Sequence, residues 1–238
     1  MKKQPPETLP ELLVNTARDY PGKGIGFIRH DRSVKFVTYP RLLSQALDIL
    51  LGLQHMGIRR GETAILSLDS AEEIVPVLWA CFLGGIIPAL LQPPVSFSEY
   101  NPAAEKAGKV FKVLGSPRVI LSHTHFGTWR SGKIPVKQLI DVSEIRIAGE
   151  KPEIPEHSPD DPVLIQFSSG STGDPKGIML SHRNILVNVS DIIKGIKLTN
   201  GDISVNWMPL YHDMGLFGFQ ITPVYVGMTH YCWIRSIL

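Results

Sequence analysis

The sequence has little cysteine, no long run of like charge and no N-terminal targeting pattern. Cys81 and Cys232 lie far apart and fit no CxxC or Cys/His spacing, which argues against a disulfide framework or a zinc site and fits a reducing cytoplasm. The formal net charge is only +2, so no electrostatic footprint for nucleic acid or an anionic membrane is present. The first lysines are followed by prolines and acids instead of the apolar core of a signal peptide, so secretion is not indicated.

One apolar stretch, residues 74–91, is long enough to span a bilayer on length alone. Two prolines and a Gly-Gly pair divide it. We therefore interpret it as a buried helix followed by a buried strand and expect no transmembrane segment, with a membrane-spanning helix as the alternative.

Helical and strand patterns alternate along the chain. Apolar residues between 40 and 58 recur at steps of three and four, which predicts an amphipathic helix. The spacing of Ser70 and Glu73 is that of a capping box opening a second helix, in which Pro76 should introduce a kink or delay the start. Further helices are predicted at 103–114 and 184–194, and strands at 62–68, 85–91, 118–122, 163–169, 177–182 and 202–209.

These alternating elements predict an α/β fold. Because several strands are apolar on both faces, we expect mainly parallel sheets flanked by helices. The segment 149–162 is rich in prolines and acidic residues and predicts a surface connection. No internal repeat or low-complexity tract divides the sequence further.

The stretch SSGSTGDPKG, Ser168 to Gly177, is typical of a phosphate-binding loop. Its glycines allow backbone N–H groups to converge on one point, its hydroxyls add donors, and Lys176 adds positive charge. A Walker A loop is excluded because Lys176 lies between Pro175 and Gly177, and a serine-hydrolase elbow is disfavoured because no GxSxG is present. A flexible Gly/Ser turn remains the alternative, although a proline beside a lysine is unusual in one.

A second motif, NWMPLYHDMGLFG, places His212 and Asp213 directly after a predicted strand and before a turn flanked by glycines. The carboxyl ends of strands are where open parallel sheets bind ligands. By itself His212 is as well explained as a strand-end histidine, and Asp213 as a helix N-cap. Together with the upstream loop, the motif predicts a site.

Both motifs resemble those of the adenylate-forming superfamily, which comprises acyl-CoA synthetases, luciferases and nonribosomal peptide synthetase adenylation domains. FSSGSTGDPKG is similar to its phosphate-binding signature, and WMPLYHDMGLFG to its second core motif. The HDMGL form and the segment LWACFLGGIIP look like fatty acyl-AMP ligases in particular. The resemblance runs from about Leu9 to about Tyr231.

By this resemblance, a fatty carboxylate is activated by ATP with Mg²⁺ to an acyl-adenylate, as in fatty acid metabolism. The acyl group then passes to the phosphopantetheine thiol of an acyl carrier protein, often at the start of lipopeptide or polyketide biosynthesis, or to CoA. His212 would be catalytic, donating a hydrogen bond where the carboxylate meets the α-phosphate. Asp213, Met214 and Gly215 would shape the acyl tunnel entrance. The phosphate-binding residues would be Ser168, Ser169, Gly170, Ser171, Thr172 and Gly173, with Lys176 as nearby charge and Gly177 closing the loop.

The family's later motifs are not found in these 238 residues. They comprise a glutamate that holds Mg²⁺, an aspartate that binds the ribose, and a catalytic lysine on a mobile C-terminal domain, so no metal ligand is assigned here. We therefore expect a partial N-terminal AMP-binding domain that is inactive alone and exposes sheet edges and apolar faces. The alternatives are part of an acyl-CoA synthetase and a noncatalytic nucleotide-binding remnant.

Overall fold

The computed structural model describes residues 4–94, 96, 101–132, 134–145, 149–168 and 175–233. The α-helices are α1 (Leu9–Asp19), α2 (Tyr39–His55), α3 (Ala71–Gly84), α4 (Pro102–Val113), α5 (Phe126–Ser131), α6 (His182–Ile196) and α7 (Thr222–Val226). The strands are β1 (Gly24–Ile28), β2 (Val34–Thr38), β3 (Thr63–Ser67), β4 (Ile87–Leu90), β5 (Arg118–Leu121), β6 (Leu139–Asp141), β7 (Pro162–Ser168), β8 (Lys176–Ser181), β9 (Ile203–Asn206) and β10 (Thr229–Trp233). A π-helix covers Met214–Ile221.

Within the described residues the strands form two four-stranded sheets and one hairpin. The first sheet has the order β2-β1-β10-β9, with β1, β10 and β9 parallel and β2 antiparallel at the edge. The second sheet, in the order β4-β3-β5-β6, is parallel throughout. The hairpin is β7-β8. The predicted α/β class with mainly parallel sheets and flanking helices is confirmed.

Helices α2 and α3 show why the sequence pattern predicted their positions. Helix α2 follows a Thr38 N-cap and buries one apolar stripe, as its period predicts. Helix α3 begins after Ser70, whose side chain accepts a hydrogen bond from the Glu73 amide at 3.3 Å. The Glu73 carboxylate accepts from the Ser122 hydroxyl at 2.5 Å. Pro76 lies inside α3 and does not delay its start.

The apolar stretch 74–91 is divided between two buried elements. Residues 74–84 form the fully buried part of helix α3, which is followed by its C-cap Gly85 in the left-handed conformation, and the rest of the stretch contains β4. Among the described residues, no helix combines the length and the hydropathy needed to cross a membrane. The interpretation as a buried helix and a buried strand is confirmed.

One continuous hydrophobic core joins the first sheet to the helices. Helices α1, α2 and α3 pack together in it, and Leu9, Tyr39 and Trp79 are among its fully buried side chains. A second, smaller core lies between the parallel sheet, α4 and the hairpin, and it includes Trp129 and Phe167. Among the described residues β9 is an edge strand. Its Ile203 and Val205, which lie on the same face, are exposed, as expected for an uncovered apolar face. Because the hairpin and the second sheet share a core, the end of β7 lies beside the end of β4.

Candidate functional site

The predicted phosphate loop connects the two strands of the β7-β8 hairpin. Ser168, the last residue of β7, is paired with the exposed Lys176 at the start of β8, and Gly177 is paired with Phe167. A Cβ atom at Gly177 would lie 3.0 Å from the Phe167 ring, so a larger residue would press on that side chain. Of the other predicted phosphate-binding residues, Ser169, Gly170, Ser171, Thr172 and Gly173 lie outside the described residues.

The end of β7 and the His212–Asp213 turn line the same cleft. The cleft has a volume of about 360 Å³. Its walls are formed by Gln166 and Phe167 from β7, by the end of β4, by α4, and by Tyr211, His212 and Asp213. The strand that leads into the first motif and the turn of the second motif, some forty residues apart in the chain, therefore line one cavity.

A side-chain hydrogen bond holds the two motifs together. Gln166 Nε2 donates to the Tyr211 carbonyl oxygen at 3.0 Å, so the strand that carries the loop is tied to the turn that carries His212. Sequence reasoning did not select Gln166. A signal was present, because it is the one amide in the otherwise apolar run VLIQF.

His212 is held by its backbone, and its imidazole is exposed. Its amide donates to the Pro209 carbonyl at 3.1 Å, and its carbonyl accepts from the Leu216 amide at 2.9 Å. The imidazole lies beside the Tyr211 ring, with ring centroids 5.0 Å apart. Within the part of the chain that the structure describes, no side-chain hydrogen bond occupies this imidazole. It is therefore available to donate a hydrogen bond to a ligand in the cleft.

Asp213 and Met214 open a π-helix instead of completing the predicted turn. Asp213 is its N-cap and accepts from the Met214 amide at 2.7 Å. Such a widened helix is frequent at functional sites. Gly215 is buried, and a Cβ there would come within 2.3 Å of the Pro209 carbonyl oxygen, so this glycine is required for backbone packing.

A second cavity, of about 480 Å³, lies next to the π-helix and shares Asp213 with the cleft. Its walls are mostly apolar, with Leu180, Ile185, Met214 and Phe217 among them. An apolar cavity that adjoins a polar cleft can accept a ligand with one charged end and one apolar end.

Lys106 is a cleft residue that the sequence analysis did not find. It lies on α4, its side chain is half-buried, and its Nζ is 3.4 Å from the Phe167 carbonyl oxygen. Burial lowers the pKa of this lysine below its ordinary value. No local motif surrounds Lys106, because its place in the cleft depends on how α4 packs beside the hairpin.

Comparisons with known proteins agree with this geometry. The family of AMP-binding enzymes matches residues 15–237. The medium-chain-fatty-acid–[acyl-carrier-protein] ligase JamA of Moorena producens is 28% identical over 227 residues, which are 90% of this chain and 37% of JamA.

Two solved structures share the fold. McyG A-PCP complexed with phenylalanyl-adenylate is 32% identical, with a TM-score of 0.91 over 98% of this chain and 42% of the other. The fatty acyl-adenylate ligase of L. pneumophila, in complex with acyl adenylate and pyrophosphate, is 25% identical, with a TM-score of 0.84 over 96% of this chain and 40% of the other.

The chain spans between 24% and 40% of the length of the curated relatives described by these comparisons. The family match nevertheless covers nearly all of the chain, and the resemblance inferred from the two motifs is confirmed. The chain belongs to the AMP-binding enzyme family, which includes acyl-CoA synthetases, fatty-acid ligases and adenylation domains.

Proposed function

We propose that the protein activates a fatty carboxylate with MgATP, forming an acyl-adenylate and pyrophosphate, and passes the acyl group to the phosphopantetheine thiol of an acyl carrier protein. The observation that carries this proposal is the single cleft lined by the stem of the Gly/Ser loop and by the His212–Asp213 turn. Relatives whose names specify fatty-acid ligation support the choice of substrate.

The chemistry requires two anions to be held together. A carboxylate oxygen of the acid forms a bond to the α-phosphorus of ATP, and the bond from that phosphorus to the bridging oxygen breaks, so that pyrophosphate leaves. Ser168 to Gly173 would wrap the β- and γ-phosphates, with Lys176 and Gly177 closing the loop. His212 would donate a hydrogen bond to the charge that develops between carboxylate and α-phosphate.

Mg²⁺ would enter with the nucleotide, and when bound it neutralises phosphate charge. The described residues contain no group of three His, Cys, Asp or Glu side chains that could hold a metal ion by themselves. Mg²⁺ on a nucleotide commonly needs only one or two protein carboxylates besides the phosphates. Asp213 is the carboxylate that the described residues offer at the cleft.

The apolar cavity beside the π-helix supports the proposal that the acyl chain of the substrate binds there. Met214 lines this cavity, and Asp213 stands where it meets the cleft. A fatty acid could therefore place its carboxylate near His212 and its chain among Leu180, Ile185 and Phe217. Gly215 would contribute indirectly, by allowing the π-helix to start close to Pro209.

We also propose that these residues form part of a larger AMP-binding domain and that the 238-residue chain does not turn over alone. The match to only 40–42% of the McyG and L. pneumophila chains supports this. The activity assay is therefore made on the natural protein in which these residues occur.

An α-amino acid is a second candidate substrate. The observation that favours it is the exposed Asp213 carboxylate, which lies between the two cavities and could pair with an α-ammonium group. The structural similarity to a phenylalanyl-adenylate complex supports it as well. A fatty acid has no cation for this carboxylate, so the two candidates are separated by comparing medium-chain fatty acids with phenylalanine as substrates.

His212→Ala tests the proposed mechanism. Loss of the hydrogen-bond donor should lower the rate of acyl-adenylate formation by about 100-fold or more, whereas His30→Ala, in an exposed turn, should leave it unchanged. The rate is measured by trapping the adenylate with hydroxylamine and by pyrophosphate release, with circular dichroism to show an intact fold. Equal rates for His212→Ala and the wild type would remove His212 from the mechanism, and no adenylate with either class of acid would refute the proposed function.

A further inference from the structure

Lys106 is placed at the base of the predicted phosphate loop. It projects from α4 into the cleft, and its Nζ is 3.4 Å from the carbonyl oxygen of Phe167, the residue directly before Ser168. That contact is long for a hydrogen bond, so it leaves the ammonium group with unused donors. A ligand bound in the cleft beside the end of β7 would therefore lie next to this group.

No carboxylate among the described residues neutralises Lys106. The neighbouring acid on the same helix, Glu105, is paired with Lys109 at 2.9 Å. Across the cleft stand His212 and Asp213, and the Asp213 carboxylate accepts from the Met214 amide and forms no ion pair with Lys106 in the described structure. A half-buried lysine whose one hydrogen bond is a long contact with a carbonyl oxygen loses more solvation than it regains, unless an anion binds beside it.

We propose that Lys106 binds the nucleotide's terminal phosphates and the pyrophosphate that leaves, a role that rests on the proposed adenylation. The position of Lys106 favours phosphate over the acid's carboxylate as its ligand. Lys106 borders the strand that enters the loop, whereas the apolar cavity for the acid lies on the other side of Asp213. Among the described residues lining the cleft, Lys106 is the one lysine or arginine.

A charge at this position would act on both phosphate affinity and catalysis. By binding the departing pyrophosphate, Lys106 would neutralise charge on the leaving group. Lys176, which is exposed at the start of β8, would approach the pyrophosphate from the opposite strand. Lys106 thus supplies a cation from α4, an element that contains neither sequence motif.

Direct binding of pyrophosphate and of ATP to the 238-residue chain tests the inference without turnover. Titration calorimetry compares the wild type with Lys106→Met, Lys106→Arg and the control Lys112→Met, which removes an exposed lysine from the same helix. We expect Lys106→Met to weaken pyrophosphate binding about tenfold or more, which corresponds to the loss of one charge-assisted hydrogen bond. Lys106→Arg should retain most of the affinity, and Lys112→Met should retain all of it.

The pH dependence of pyrophosphate binding is a second readout. Replacing Lys106 would not change it if the lysine had only a structural role. Because burial lowers the pKa of Lys106, pyrophosphate binding should weaken as the pH rises through that lowered value, and Lys106→Met should lose this dependence. His212, Asp213, Glu105 and Lys109 are present in both proteins, so the difference between the curves belongs to Lys106.

The inference is overturned if the wild type binds neither pyrophosphate nor ATP, or if Lys106→Met binds pyrophosphate like the wild type. It is also overturned if Lys106→Met raises the KM of the natural protein for the acid while leaving pyrophosphate affinity intact, since the lysine would then serve the carboxylate. Failure of the proposed function would look different: pyrophosphate would bind in a Lys106-dependent way, but no acyl-hydroxamate would form.

Discussion

His182 is held in its neutral form by a contact between distant parts of the chain. Only 1% of the residue is exposed, and its Nδ1 accepts a hydrogen bond from the Leu9 amide at 3.1 Å. The His157 ring stands edge-on to it, with centroids 5.6 Å apart. Burial, helped by the neighbouring His157, lowers the pKa of His182 to about 4. A proton on Nδ1 would break the bond to Leu9 and put an uncompensated charge in the core.

This geometry predicts a loss of stability in mild acid. The pKa of His182 is lower in the folded state than its ordinary value of 6.5, so the unfolded chain takes up the proton first. The free energy of unfolding that depends on neutral His182 is fully present above about pH 6.5. As the pH falls toward about 4, up to about 3 kcal/mol of it is lost. In His182→Asn the amide oxygen replaces Nδ1 as acceptor and cannot titrate.

Urea unfolding at several pH values measures this effect. His182→Asn should lose less stability than the wild type between about pH 6.5 and about pH 4.5, whereas His30→Asn, in an exposed turn, should follow the wild-type curve. Part of the wild-type loss will persist in His182→Asn, because burial lowers the pKa of His230 to about 3 as well. Parallel curves for His182→Asn and the wild type would show that His182 is not the titrating group.

The residues of the cleft differ in how far they could be predicted. His212 and Asp213 stand in a motif after a strand, and local spacing was enough to predict their place beyond the carboxyl end of β9, where they line the cleft. Lys106 and Gln166 have no such spacing, and they reach the cleft only because α4 and β7 pack beside the turn. Sequence patterns record local geometry, so side chains brought in by tertiary packing were missed.

At the scale of elements, α2 carries a glycine where a side chain would collide with the backbone. Gly52 is buried near the end of the helix, and a Cβ there would come within 1.5 Å of the Ile145 carbonyl oxygen. Because Gly52 has no side chain, the segment after β6 that carries Ile145 lies directly on the helix. The glycine costs helix propensity, and close packing is the physical reason for its presence.

Replacing this glycine should therefore destabilise the protein, although alanine is the better helix former. Gly52→Ala must push Ile145 away, at a cost of about 1–3 kcal/mol or more. Gly195→Ala is the matched control, because Gly195 lies in α6 with nothing within 4 Å of its added Cβ, and it should gain up to about 1 kcal/mol. Thermal unfolding of both variants gives the comparison, and stabilisation by Gly52→Ala would contradict the packing.

The elements that were predicted are those with a strong internal period or a buried apolar run. Helices α2, α4 and α6 and strands β3, β5 and β7 lie close to their predicted positions. The residues after His212 were predicted as a turn because of their glycines, but tertiary packing under Pro209 lets them continue as a π-helix. Gly215 is needed there for close packing against the Pro209 backbone. Local propensity cannot distinguish a glycine required for close packing from a glycine that forms a turn.

At the scale of the whole molecule, the order of the strands along the chain does not predict which strands are neighbours in the first sheet. Strand β1 lies beside β10, and Ile25 is paired with His230 across most of the chain. Helix α1 precedes β1, whereas the other helices that share the core with this sheet come from between the two strands. The sheet therefore forms only when segments from both ends of the sequence are in place. Such long-range pairing makes the fold cooperative and ties the N-terminal helix α1 to α7, where Thr16 donates to the Val224 carbonyl at 2.9 Å.

The two thiols can report whether this large core unfolds as one unit. Cys81 in α3 and Cys232 in β10 are both buried in it, and burial raises the pKa of each to about 12. Neither should react with a thiol reagent in the native state, because the thiolate is the reactive form and both sulfurs are covered. In Cys81→Ala and Cys232→Ala, the remaining thiol should be labelled slowly, at a rate set by opening of the core.

If the helices and the first sheet open together, the two single-cysteine variants should show the same dependence of labelling rate on urea, once each rate is corrected for that variant's own stability. The measurement is the labelling rate below the unfolding midpoint, followed at several urea concentrations. Much faster labelling of Cys232 without urea would show that β10 detaches from β1 while α3 stays closed, and the first sheet would then be a separate unit of lower stability.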